Sequence, residues 1–290
     1  PCLMQQPHAE KQAVDSKALL HVCLVLKFLE SFAYFTLNNI FTLHLTEELG
    51  MSDVLAGTFF GLRGALTILY ASLLGPAVDS LGVPHSLRLS FLCAAFGRMV
   101  FALARSRGLA LAAVYGPMAL GHGLLAPVLT IGVKRATMND KHGTEAWAYG
   151  CLYWSTVLGI LLCGPTIDVA TFWLHGKPYR TLALLTSAIS ALGFLLSCLL
   201  GSTQAPVSNQ SDLDKDHTPH SLISLAWVRD ALSSVLTRRF LRFCAYSVAV
   251  LPACSVLRNL DGGIFPKFML RSFGPHVPKG TIYAMNPALD

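Results

Sequence analysis

The sequence predicts an all-α integral membrane protein, and three observations carry that prediction. The 290-residue chain is 53% hydrophobic and only 13% charged, whereas a soluble domain carries about 25% charged residues. Its mean hydropathy is +0.53. Its apolar residues fall into seven runs, each near the ~20 residues that a helix needs to cross a bilayer. Such a composition leaves too little polar surface for a soluble enzyme, a nucleic-acid-binding domain or a disordered scaffold. The formal net charge of +6 then reads as basic loops beside a membrane, with no nucleic-acid partner.

Residues 1–17 form a polar N-terminal segment that lacks signal-peptide character. The chain begins at Pro1 rather than Met, so the N-terminus is expected to be incomplete. Six spans are expected at 18–43, 54–77, 86–104, 109–133, 146–173 and 179–200, making an N-terminal six-helix bundle over 18–200. Residues 201–225 are rich in turn formers and charge and read as a linker. Residues 226–239 follow with Trp227, Val228, Ala231, Leu232, Val235 and Leu236 at helical spacing, an interfacial amphipathic helix. Residues 240–290 then begin a second bundle, with a seventh span at 240–260 and an eighth starting near Gly280. Residues 265–271 between them read as a loop or short surface helix, and the missing remainder of this second half is expected in cis.

Lys and Arg orient the chain. With the N-terminus in the cytoplasm, eleven fall on the inner side and seven on the outer, the bias expected of cytoplasmic loops. The sequence does not say whether the membrane is plasma or organellar. The eight cysteines share no C-x-x-C spacing and mostly sit in apolar runs, so they read as buried thiols. No nucleotide-binding, zinc-protease or hydrolase signature is present, so the chain is expected to be no enzyme and to need no metal or cofactor.

Between spans two and three stands Gly75-Pro-Ala-Val-Asp79-Ser-Leu-Gly82. Glycines there permit a tight turn, and the aspartate can meet a helix N-terminus or a cation. This G-x-x-x-D-x-x-G pattern resembles the loop joining the second and third helices of the major facilitator superfamily, with Ser80 and Val83 where that family has basic residues. Glu30-Ser-Phe-Ala-Tyr34-Phe with Leu45-Thr-Glu-Glu-Leu-Gly-Met-Ser-Asp53, Gly121-His-Gly-Leu-Leu-Ala-Pro127 and Tyr153-Trp-Ser-Thr-Val-Leu-Gly159 are similar to spans one, four and five of the proton-dependent oligopeptide transporter branch. The resemblance implies a major facilitator-type bundle, a secondary transporter working by alternating access, and Glu30 as a coupling residue. The chain departs from that branch at Lys27 and Ser31 of the E-x-x-E-R element, at Ala126 for a lysine and at Val157 for an asparagine. Those departures imply a divergent branch with a substrate other than dipeptides.

The residues also speak without the family. At 100° per residue, Lys27, Glu30, Ser31, Tyr34 and Asn38 share a sector of about 100° on span one. A polar stripe on an apolar helix faces a water-filled path or the bundle interior. Lys27 and Glu30 are i, i+3 neighbours, so they either fix helix packing as an ion pair or serve transport. Arg63 lies deep in span two. Arg98 lies near the outer end of span three, where it either extends outward or lines the path. Counting Lys27, Arg63 and Arg98 against Glu30 gives an excess of two positive charges, which favours an anionic or carboxylate-bearing solute.

His122, on a face with Tyr115 and Met118, is either a proton relay or a hydrogen-bonded packing residue. Tyr153, with Tyr149 and Thr156, either lines the path or packs. Asp168 is expected near the outer surface, and Gly57 and Gly61 have the spacing of a close helix contact. The expected partners are a small solute, protons and the lipid bilayer. The rival reading is a receptor-like or assembly protein that keeps the fold without transporting.

Overall fold

A computed structural model describes residues 6–138, 144–174, 176–200, 264–274 and 277–289, together with residues 238, 242 and 246. Among them every long element is helical. Helix α1 (Gln6–Leu43) ends in a π-helical turn, His44–Glu48. Helix α2 (Asp53–Leu103) has two arms joined at Gly82, whose φ of +73° departs from helical geometry. Helix α3 (Arg107–Ala113) passes through a π turn, Val114–Met118, into α4 (Ala119–Thr137). Helices α5 (Thr144–Trp173) and α6 (Pro178–Leu199) complete the first bundle. Two short helices follow, α7 (Phe265–Phe273) and α8 (Lys279–Leu289).

Among the described residues six helical stretches are long and apolar enough to cross a membrane: Lys17–Glu48, Asp53–Leu74, Leu81–Leu103, Arg107–Thr137, Thr144–Trp173 and Pro178–Leu199. All six expected spans of the first bundle are found, with the first and fourth longer than their apolar cores. The π turn of α1 and the α3–π–α4 continuation supply the extra length. The expected seventh span, the linker and the amphipathic helix lie outside the described residues, apart from isolated positions. Residues 265–271 form the core of a surface helix, and a helix begins at Lys279 where the eighth span was expected. On α5, Trp147 stands near one end and Phe172 and Trp173 at the other, all exposed. Twenty-six residues separate the two tryptophans, roughly 39 Å at 1.5 Å per residue, close to the spacing of the two interfacial aromatic belts of a bilayer.

Glycines decide which helices touch. A Cβ at Gly123 of α4 would stand 2.7 Å from the Thr67 carbonyl, and one at Gly121 would stand 2.6 Å from Ala94 N. One turn of α4 therefore packs against both arms of α2, and the chain reverses between those arms. Gly159 of α5 does the same for α1, since a Cβ there would lie 2.8 Å from Phe32 N and 2.9 Å from the Ser31 side chain. The expected contact at Gly57 and Gly61 is corrected. Among the described residues nothing lies within 4 Å of a Cβ at either, and Gly57 opens instead on a cavity that it shares with Lys267, Phe268 and Arg271.

Buried apolar residues gather in two cores. One holds Leu37, Phe41, Phe101, Ala110, Met118 and Leu182, and the other Cys23, Leu26, Leu87, Phe91, Leu125 and Leu129. Helix α1 passes from one to the other over residues 27–36, the stretch that carries Lys27 and Glu30. The buried-thiol expectation holds for Cys23 and Cys163 but not for Cys198, which is exposed.

Candidate functional site

Gly121 and Gly123 point toward opposite arms of α2. Successive helical residues are 100° apart, so His122 between them is directed into the sector those arms leave open. Helix α1 fills that sector. His122 Nδ1 lies 3.0 Å from Glu30 Oε1, and its ring stacks on Tyr34 with centroids 4.1 Å apart and planes 7° from parallel. Lys27 Nζ donates to Glu30 Oε2 at 3.2 Å. Glu30 is 3% exposed, while the side chains of Lys27 and His122 are 20% and 23% exposed. The carboxylate is thus sealed behind two cation-capable groups that keep an opening to the outside of the bundle.

Arg63 extends the cluster on the first arm of α2. It donates to Asn38 Oδ1 at 2.7 Å and packs its guanidinium over Tyr34, Phe41 and Phe60 at 5.6, 5.0 and 5.3 Å from the ring centroids. Arg98, on the second arm, donates to Ser190 of α6 and is 2% exposed. It is therefore interior and does not extend to the outer surface, because α6 supplies a buried acceptor. Among the described residues neither arginine pairs with a carboxylate at ion-pair distance. Glu30 is the one acidic group of the cluster, facing Lys27, Arg63, Arg98 and the titratable His122.

The structure gathers Lys27, Glu30, Tyr34, Asn38, Arg63, Arg98 and His122. It leaves Tyr153 apart on α5, more than half exposed. Ser31 leaves the polar stripe, since it is buried where Gly159 lets α5 approach. Of the turn residues Gly75, Asp79 and Gly82, the last takes the left-handed φ that only glycine adopts readily, while the side chain of Asp79 lies outside what is described.

Several polar contacts had no clear sequence signal. Asp53, at the start of α2, accepts from both Lys267 and Arg271 of α7. Asp168 accepts from the Gly280 and Thr281 N–H groups at 2.8 and 2.7 Å, capping the N-terminus of α8 rather than facing an outer surface. Beside it Gly164 and Gly280 bring the backbones of α5 and α8 together with no room for a side chain. Glu48 lies 3.1 Å from His44 Nδ1 and accepts from the Arg180 N–H at 3.0 Å. The i, i+4 spacings of Lys267 with Arg271 and of His44 with Glu48 were the local hints. The others join elements too far apart in sequence for spacing to reveal them.

No curated protein matches the chain. Among solved structures, a POT family transporter in complex with 5-aminolevulinic acid superposes with a TM-score of 0.67 at 16% identity, covering 93% of this chain and 67% of that one. The peptide transporter POT in complex with sulfate gives 0.67 at 14% identity, over 93% and 65%. A bacterial homologue of the human drug peptide transporters PepT1 and PepT2 gives 0.64 at 16%, over 94% and 68%. These likenesses show the fold, and the chain spans about two thirds of each structure's length. The sequence also matches the Major Facilitator Superfamily profile over residues 23–280. Six membrane-length helices, the Gly82 reversal between the arms of α2 and this profile match agree, and the chain belongs to the major facilitator superfamily.

Proposed function

We propose that the chain is part of a proton-coupled secondary transporter that moves a small anionic or carboxylate-bearing solute by alternating access, with its N-terminus in the cytoplasm. The observation that carries this reading is the Lys27–Glu30–His122 cluster, ionisable groups held at bilayer depth with an opening on one side. Ionised side chains inside a membrane cost at least about 2.5–3.5 kcal/mol when they face lipid, so a buried set with an opening points to a solute or ion path. The positive excess from Arg63 and Arg98 favours a negative solute. Support for alternating access comes from α7, whose Lys267 and Arg271 meet the first bundle at Asp53 through a partly exposed polar contact that can open and close.

The test is uptake into proteoliposomes holding the full-length protein, with an imposed pH gradient and matched anionic, zwitterionic and cationic solutes. Accumulation of anions driven by inward protons is expected, and Glu30→Gln should abolish the accumulation while leaving exchange. Preference for cations overturns the solute class. Folded protein that moves none of the solutes favours the receptor-like reading, to which the replaced positions Ser31, Ala126 and Val157 lend weight.

A further inference from the structure

We propose that His122 is the proton-binding residue of the buried cluster, taking its proton at Nε2, and that Glu30 is a fixed counter-ion; this builds on the coupled-transport reading above. Glu30 Oε2 accepts from Lys27 at 3.2 Å, Oε1 lies 3.0 Å from His122 Nδ1, and Arg98 adds a further attraction. Protonating Glu30 would leave Lys27 and Arg98 as cations in the bundle with no anion to balance them, the costliest state available to this cluster. Protonating His122 adds one positive charge as well, but it keeps the Glu30 anion beside the cations. A carboxylate 3.0 Å from Nδ1 favours the tautomer that carries its proton there, which leaves the Nε2 lone pair for a further proton. The ring retains access to water, as its 23% exposure shows.

The charges around His122 come from every helix packed on α4. Helix α1 presents Glu30, Lys27 and Tyr34. Helix α2 presents Arg63 and Arg98, together with Tyr70, whose hydroxyl donates to the Tyr115 carbonyl at 3.0 Å. The charged residues of α5, Glu145 and Asp168, lie toward its two ends. A proton arriving on His122 is attracted by Glu30 and by the face of Tyr34, and is opposed by the three fixed cations. These opposing influences leave the protonation of the ring sensitive to what surrounds it.

Tyr34 makes the step more than local. Its ring stacks on His122 and also lies 5.6 Å from the Arg63 guanidinium. Charging His122 places two cations on one aromatic ring and sets them against each other. Arg63 carries that repulsion to Asn38 through their hydrogen bond, so a proton on α4 acts on the α1–α2 contact. The added charge raises the positive excess of the cluster from two to three and strengthens its hold on an anion. The proton comes from water on the open side and returns to water on the other, with no bond made or broken besides N–H.

The test uses the full-length protein in nanodiscs, labelled with ¹⁵N-histidine and ¹³C-carboxyl glutamate. His122→Gln and Glu30→Gln assign the two resonances by their disappearance. Across a titration from about pH 5 to 8, the Nε2 shift of His122 is expected to respond while the Glu30 carboxyl signal stays constant. Glu30→Gln should move the His122 midpoint to lower pH by about one unit or more, since an adjacent negative charge is gone. A Glu30 carboxyl that titrates in this window beside a His122 that does not overturns the proposal. His122 titrating in a protein that accumulates nothing under a pH gradient upholds this assignment and refutes coupled transport, so the two fail separately.

Discussion

Arg63 of α2 and Asn38 of α1 hold each other in the bundle interior, the guanidinium donating to the amide oxygen at 2.7 Å while three aromatic rings cover its faces. Asn38 is thereby the acceptor that makes a buried arginine tolerable. Asn38→Leu should cost about 2 kcal/mol of stability, the loss expected when a charged donor is left unmatched, read as a lower unfolding temperature in detergent. Asn38→Asp should fold normally but cancel one positive charge. With an anionic solute, KM should then rise about tenfold, equivalent to ~1.4 kcal/mol.

Asp168 receives two backbone N–H groups at the start of α8, a side-chain cap reaching from another helix. Asp168→Ala should cost about 1 kcal/mol, as cap removal does elsewhere, with the lost charge at the helix N-terminus contributing. Asp168→Asn keeps an acceptor and should lose less. Equal losses in the two variants, measured by thermal unfolding, would show that the cap is unimportant.

Glycines on α4 and α2 make a matched pair of tests. Gly121→Ala places a methyl group 2.6 Å from the backbone of Ala94 and should destabilise by about 1–3 kcal/mol through forced helix separation. Gly57→Ala meets nothing within 4 Å and should be neutral or stabilising by up to about 1 kcal/mol, since alanine is the better helix former.

Asp53 bridges to two basic residues of α7, Lys267 largely covered and Arg271 open to solvent. Its carboxylate is 40% exposed and Arg271 is 70% exposed, so Asp53→Asn should change global stability by less than about 1 kcal/mol. The contact joins α2 to a helix near the chain's far end, so its loss should show in conformation. Faster alkylation of a cysteine placed at Gly57, in the adjacent cavity of about 510 Å³, is the expected outcome.

Thiol chemistry offers an independent check of the packing. Cys23 and Cys163 are fully buried, whereas Cys198 is exposed. In single-cysteine proteins, maleimide should label Cys198 readily and the other two only after denaturation. Rapid labelling of Cys23 would contradict the close fit of α1 against Gly132, where a Cβ would stand 2.8 Å from its sulfur.

Much of this was legible in the sequence because its causes are local. Span lengths follow from runs of apolar residues, and the stripe of Lys27, Glu30, Tyr34 and Asn38 follows from helical periodicity alone. The pairing of Lys27 with Glu30 needed only i, i+3 spacing. What the sequence withheld depends on where helices cross. His122 meets Glu30 because Gly121 and Gly123 set the rotation of α4 against two arms of α2, and no count along the chain contains that angle. The interior position of Arg98 hangs on Ser190, 92 residues away. Gly57 and Gly61 show the reverse error, since small-residue spacing marks a face able to pack closely without saying whether a partner is there.

Gly164 and Gly280 have a consequence for inheritance. Their backbones meet so closely that each needs hydrogen where every other residue has carbon. Every missense change in a glycine codon introduces a side chain. Related genes should therefore keep both codons as glycine across deep divergence, even where the solute-facing residues drift, and variation within a population should be nearly silent there. No shortening of a neighbouring side chain could compensate for losing either, because the nearest atom to each missing Cβ is the other glycine's carbonyl oxygen at 2.4 Å.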